Sequence, residues 1–279
     1  MSLLHRLRLA AAGRVPLFAK SAYLKLRELD AGARALPDFL VIGAMKAGTT
    51  SLFNYLCMHP RVIGSVPKEI FYFCSHPERG ERWYRRHFPR RRRLRAANAL
   101  CGEATPTYLP SGDAPHLVRE LLPRVKLIVL LREPAARAVS HYHHRVRAGR
   151  ESRSVDEVFS PAMVARVEAG RPQGETETLL CERSSYASSL RRWLDAFPRE
   201  QLLVLEAETL FSSTQATLNT AADFLGLESF DLPAATAYNA ANSQTALPRT
   251  FDRLVAAFAE VNEDLPAMGY PMSWMPHGG

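Results

Sequence analysis

The stretch Phe39-Leu-Val-Ile-Gly-Ala-Met-Lys-Ala-Gly-Thr-Thr-Ser51 gathers groups suited to holding a compact anion. Phe39–Ile42 reads as a buried strand and Thr49–Met58 as a helix. Gly43, Lys46, Ala47, Gly48, Thr49 and Thr50 form or border the turn between them. A strand that runs into a glycine-containing loop and then opens a helix aims backbone N–H groups and the positive helix end at one point. Lys46 adds a full charge there, and the two threonines add hydroxyls.

The spacing compares with the nucleotide loop pattern G-x-x-x-x-G-K-[ST]. Gly43 and Gly48 keep the interval and Thr50 keeps the hydroxyl, but position 49 is Thr and the lysine sits inside the loop. In a nucleoside triphosphatase the lysine after the second glycine reaches the β/γ-phosphates, and the next hydroxyl holds magnesium. A lysine three residues earlier addresses a different atom. It suits a single 5′-phosphate and the group leaving from it.

A second constellation is Lys126-Leu-Ile-Val-Leu-Leu-Arg-Glu-Pro-Ala-Ala-Arg-Ala-Val-Ser-His-Tyr142. A buried strand over Lys126–Leu131 ends in Arg132. Pro134 then starts a helix over Ala135–Arg147 that carries Ser140 about two turns on. An arginine at the carboxyl end of a parallel strand faces the crevice where open α/β sheets bind ligands. Its fork can grip a phosphate bidentately, and Ser140 can add a hydroxyl. The alternative is structural: Arg132 paired with Glu133 or Glu103, and Ser140 packed against a neighbouring helix.

Together the two constellations resemble the sulfotransferases that use 3′-phosphoadenosine 5′-phosphosulfate (PAPS). The likeness is nearer to the Golgi heparan-sulfate enzymes and their bacterial relatives. Supporting matches are Lys68-Glu69-Ile-Phe-Tyr-Phe73, Trp83-Tyr84…Phe88-Pro89, Gly102-Glu103-Ala-Thr-Pro-Thr-Tyr108 and Trp193-Leu…Phe197-Pro-Arg-Glu-Gln-Leu202. A weaker tail runs Phe258…Asn262…Leu265…Gly269…Trp274. The resemblance implies a single P-loop-like α/β domain and sulfuryl transfer to a hydroxyl or amine. It makes Lys46–Thr50 the 5′-phosphosulfate loop and Arg132 with Ser140 the 3′-phosphate site. It also brings Tyr186 near the nucleotide and makes Glu69 the general base, with Lys46 stabilising the leaving bisphosphate. No metal is implied. By spacing alone, Glu69 reads as a surface ion pair with Lys68. A P-loop kinase or nucleotide hydrolase is the alternative activity, and the displaced lysine counts against it.

The chain departs from the heparan-type pattern. Phe71 and Cys74 stand where a His and an Asp often follow the glutamate, and Ala104 stands where a Lys follows the later one. Asn242–Arg249 replaces a basic glycine loop. Phe71, Tyr72 and Phe73 then suggest a more apolar acceptor wall, unless they are buried core. A small-molecule, lipid or glycan acceptor is expected, and no nucleic acid.

The elements around these motifs are short apolar runs that alternate with helical patterns. Leu100–Glu103 and Leu202–Leu205 read as further strands. Asp113–Leu122, 186–197, Gln215–Leu225 and Thr250–Leu265 read as helices. Alternation of this kind predicts α/β architecture with a central parallel sheet flanked by helices. Residues 148–178 read as a polar surface insertion around one short helix, Val155–Glu168. His141, His143 and His144 read as a solvated helix face, since adjacent helical positions point about 100° apart.

The chain has 279 residues, 47% apolar and 23% charged, which excludes disordered and fibrous classes. Four scattered cysteines exclude a disulfide scaffold or zinc module. The net charge of +8 favours anionic partners. Residues 1–37 form a basic N-terminal segment before a domain over 38–279. Leu3, Leu4, Leu7, Val15, Leu17 and Phe18 interleave with Arg6, Arg8, Arg14 and Lys20, without a continuous apolar stretch. This admits either a solvated terminal helix or peripheral contact with a membrane surface. The expected location is cytoplasmic, with membrane association through that segment. The run Arg90–Arg93 with Arg95 reads as a solvated charged surface.

Overall fold

The computed structural model describes residues 17–170, 175–232 and 246–275. The basic stretch before residue 17 and the positions 242–245 lie outside the described residues. Five strands form one parallel sheet: β1 (Phe39–Gly43), β2 (Val62–Gly64), β3 (Leu100–Ala104), β4 (Lys126–Leu131) and β5 (Leu202–Glu206). Their order is β2-β3-β1-β4-β5. β1 lies between β3 and β4, with Leu40 opposite Glu103 on one side and Leu127 on the other. Every residue of β1 is buried. Its unbroken apolar run reflects helices covering both faces of a parallel sheet.

Helix α1 (Leu17–Leu29) precedes the sheet, and α2 (Thr49–Leu56) follows β1. The β2–β3 crossover carries α3 (Tyr72–Ser75), α4 (Gly80–Arg85) and α5 (Arg91–Ala97). Next come α6 (Ala114–Leu121) and, after β4, α7 (Pro134–Arg147). The later helices are α8 (Val155–Val158), α9 (Pro161–Glu168), α10 (Glu175–Glu182), α11 (Tyr186–Ala196), α12 (Ala207–Ser212), α13 (Thr214–Leu225) and α14 (Phe251–Val261). Gly226, at φ 75°, terminates α13 in the left-handed conformation that glycine adopts without a Cβ penalty.

Two expectations need correction. Residues 148–178 are not a mere surface insertion. Val158, Phe159, Met163, Val164 and Val167 are buried with Val139, Leu254 and Phe258 in a second core beside the sheet. The expected helix Val155–Glu168 is two helices. Ser154 caps the first through a capping box, and Ser160 caps the second, which has Pro161 at its first turn. The last helix also ends earlier than expected, at Val261. The Asn262 side chain donates to the Phe258 carbonyl at 2.8 Å and accepts from the Tyr186 N–H at 2.7 Å. That fixes the chain end against α11 before Pro266 is reached.

Candidate active site

The loop from β1 to α2 and the end of β4 open at the same carboxyl edge of the sheet, on neighbouring strands. The Ala44 N–H donates to the Leu130 carbonyl at 2.7 Å, which ties the loop to β4. Gly48, at φ 98°, caps α2, and a Cβ there would meet the Phe211 ring at 3.0 Å. A side chain at 48 would thus be strained twice, by its backbone angle and by the ring. Lys46 also takes a left-handed backbone, at φ 72°. Such a conformation in a non-glycine residue costs about 1–3 kcal/mol and persists where the surroundings impose it.

Three guanidinium groups hold the loop around it. Arg132 Nη1 donates to the Lys46 carbonyl at 3.4 Å. Arg137 Nη1 donates to the Met45 carbonyl at 3.5 Å, and Arg183 Nη1 reaches the Met45 sulfur at 2.6 Å. Arg137 is fully buried. Its other bonds go to Ser184 Oγ at 2.8 Å and the Leu180 carbonyl at 2.7 Å, so its partners are neutral. Burial holds its pKa down, to about 10. Lys46 is likewise shifted down, first by burial and then by repulsion from Arg147, Arg132 and Arg137, with Glu69 opposing. A loop so crowded with cations is electrostatically suited to a multiply charged anion.

Among the described residues Arg132 forms no ion pair, although its charge is felt by Glu133. The Glu133 carboxylate caps α7, accepting from the Ala135 and Ala136 N–H groups at 2.8 and 2.6 Å. The Glu103 carboxyl is fully buried among hydroxyls: Tyr84 at 2.6 Å, Thr105 at 3.0 Å and Tyr108 at 3.1 Å. Tyr186 is buried, and its hydroxyl donates to the Arg132 carbonyl at 2.9 Å. It therefore steadies the strand end that carries the arginine. Ser140 lies half-buried two turns into α7. Ala47 and Thr49 are buried in the loop, while Thr50 is exposed at the start of α2.

Glu69 lies on the β2–β3 crossover, and its charge is felt by both Lys46 and His144. Lys68 Nζ contacts Glu69 Oε1 at 2.8 Å, and the glutamate side chain remains 37% exposed. The ion pair read from spacing is therefore present, and it leaves the carboxylate open to solvent. The segment is held from beneath. Thr105 Oγ1 donates to Glu103 and accepts from the Ile70 N–H at 3.1 Å, with the Phe71 N–H at 3.5 Å. Phe71 itself is left-handed, at φ 59°.

Burial accounts for two further differences from the expectations. Tyr72 and Phe73 are core, not an acceptor wall. Tyr72 stacks on Tyr84 at 4.5 Å, and Phe73 meets Tyr84 and Tyr108 edge-on. Phe71 alone of the three is only half-buried. His141 is buried rather than solvated, and burial among arginines lowers its pKa to about 2. His143 contacts the Ala246 carbonyl, and His144 is exposed beside the loop.

Sequence reasoning missed Arg137, Arg147 and Arg183. Arg137 lay within the motif quoted for Arg132 and reads there as one more helical arginine. Only the fold brings Arg183, which just precedes α11, against Met45.

A sulfotransferase domain model matches residues 36–242. The chain belongs to the sulfotransferase family. It is 31% identical over 201 residues to human bifunctional heparan sulfate N-deacetylase/N-sulfotransferase 2, covering 70% of this chain and 22% of that protein. It is 31% identical over 204 residues to human heparan sulfate glucosamine 3-O-sulfotransferase 3A1, covering 72% of this chain and 47% of that protein. The chain thus spans less than half the length of either relative. A sulfotransferase structure from Alicyclobacillus acidocaldarius superposes with a TM-score of 0.65 at 26% identity, covering 86% of this chain and 99% of that one.

Proposed function

We propose that this sulfotransferase-family chain transfers a sulfuryl group from PAPS to a hydroxyl or amine of a small-molecule, lipid or glycan acceptor. The observation that carries this reading is the convergence of Lys46 and Arg132 at one sheet edge, with the Glu69 charge felt at Lys46. The donor set fits a nucleotide carrying separate 5′ and 3′ anionic groups. Lys46, Ala47, Gly48, Thr49 and Thr50 would hold the 5′ end, and Arg132 with Ser140 the 3′-phosphate. Tyr186 would support that site through the Arg132 carbonyl. The bound donor supplies an activated sulfuryl group.

This chain's residues then do two things. Glu69 accepts the proton that the acceptor loses as it attacks sulfur, which is general-base catalysis. Lys46 and the N–H groups at the start of α2 stabilise the charge that develops on the leaving side. Magnesium is not required by this scheme.

The test is transfer of radiolabelled sulfur from PAPS to a panel of alcohols, amines and oligosaccharides in the presence of chelator. Transfer to one acceptor class, lost in Lys46→Ala, supports the reading. Phosphoryl transfer from magnesium-ATP in its place would replace it with the kinase alternative.

A further inference from the structure

Helix α1 carries a ridge of exposed apolar side chains. Tyr23, Leu26 and Leu29 follow one another at three-residue intervals and are 52%, 66% and 78% exposed. The helix is anchored by Arg27, which donates to the Phe88 carbonyl at 2.5 Å and to the Tyr23 hydroxyl at 3.0 Å, and by Glu28, which pairs with Arg86 at 2.8 Å. The apolar ridge is therefore held outward by a helix fixed to the domain.

The border of that ridge is cationic. α5, over Arg91–Ala97, has Arg91, Arg92, Arg93 and Arg95 exposed. It is tied to the end of α1 through Arg90, which pairs with Asp30 at 2.5 Å, and through Arg91, which donates to the Gly32 carbonyl. Among the described residues Arg92, Arg93 and Arg95 have no ion pair. Residues 1–27 hold six Lys/Arg and no acid, so the chain leading into this face adds charge of the same sign.

We infer that this face docks on an anionic lipid bilayer, with Tyr23, Leu26 and Leu29 entering the interface and the α5 arginines meeting the headgroups. An apolar ridge flanked by basic side chains is what binds a helix in the interfacial plane. A second copy of the chain is disfavoured as the occupant, because two arginine-dense faces repel each other. Nucleic acid would match the arginines but would leave three exposed apolar side chains unburied. Residues 30–37 lead from this face to the amino end of β1, whereas the anion loop leaves its carboxyl end. Docking and donor binding therefore use different edges of the sheet.

The experiment is co-sedimentation of the full chain with vesicles of phosphatidylcholine alone or with 30% phosphatidylglycerol. Binding to the anionic vesicles is expected, roughly tenfold or more tighter than to the neutral ones, and weakened by raised salt. Leu26→Glu with Leu29→Glu, and separately Arg92→Glu with Arg93→Glu, should each reduce binding about tenfold or more. Melting temperature and affinity for adenosine 3′,5′-bisphosphate should be unchanged in both, which verifies folding. Three results overturn the inference. One is wild-type protein left in the supernatant. Another is equal vesicle binding by the leucine variants. The third is a dimer or a nucleic-acid complex that the variants abolish, without vesicle binding.

Discussion

The carbonyl oxygen of Lys46 accepts a hydrogen bond from Arg132 Nη1 at 3.4 Å. Two cationic residues from adjacent strands are thereby joined at one carboxyl edge, one through its backbone and one through its guanidinium. Among the described residues the lysine ammonium has no hydrogen-bond partner, and the guanidinium has N–H donors to spare for a ligand.

The first prediction concerns affinity for adenosine 3′,5′-bisphosphate. Lys46→Ala and Arg132→Ala each remove a charge-assisted contact of about 1.5–3 kcal/mol. Calorimetric titration should show affinity falling by roughly 10- to 150-fold in each. Ser140→Ala removes a neutral hydroxyl contact of about 1 kcal/mol and should cost only about fivefold. A folded Arg132→Ala protein with wild-type affinity would remove that residue from the site.

Glu69→Gln keeps the shape of the site and removes the base. Turnover should drop by roughly 10²–10⁴, with bisphosphate affinity and melting temperature preserved. If Glu69 serves only as the exposed partner of Lys68, the substitution costs about 0–1 kcal/mol of stability and leaves turnover intact.

Thr105 is the joint between the buried carboxyl and the Glu69 segment. Thr105→Val removes the acceptor of the Ile70 N–H and one donor to Glu103. The expected loss is about 1–3 kcal/mol of stability together with lower kcat and unchanged bisphosphate affinity. Thr105→Ser should restore both. Equal kcat in the Val and Ser proteins would show that the joint does not position Glu69.

Glu103 gives stability a pH signature. Burial raises its carboxyl pKa to about 7, against the hydroxyl donors, which lower it. A carboxyl whose folded pKa lies above its unfolded value favours folding in its protonated form. Its contribution is full below about pH 4.5 and is lost as pH rises to about 7, on the order of 3 kcal/mol in all. Melting temperatures measured across that window should fall more steeply with pH for wild type than for Glu103→Gln. Parallel curves would mean that the carboxyl is already ionised at low pH. The same burial keeps Glu103 from reaching an acceptor, so it is not a substitute base for Glu69.

Where the chemistry is local, the sequence is legible. β1 and β4 are continuous apolar runs, and the residues following each carry the anion-binding groups. Gly226 ends its helix where its backbone freedom suggests. β2 is three residues long and carries no usable periodicity. The second core is not legible because its apolar positions are spread through a polar stretch and bury against α7, α10 and α14. Arg137 and Arg183 look like surface cations in one dimension. Only packing shows that they converge on Met45. The aromatic run after Glu69 is ambiguous for the same reason, since either core or acceptor wall would use Tyr72 and Phe73.

The most direct measurement is a melting experiment with adenosine 3′,5′-bisphosphate in chelator, beside ATP with and without magnesium. The bisphosphate should stabilise the chain without metal, by about 2.7 kcal/mol at 100 times its dissociation constant. ATP should have a smaller effect that magnesium does not rescue. Stabilisation by magnesium-ATP with none from the bisphosphate would contradict the use of PAPS as donor.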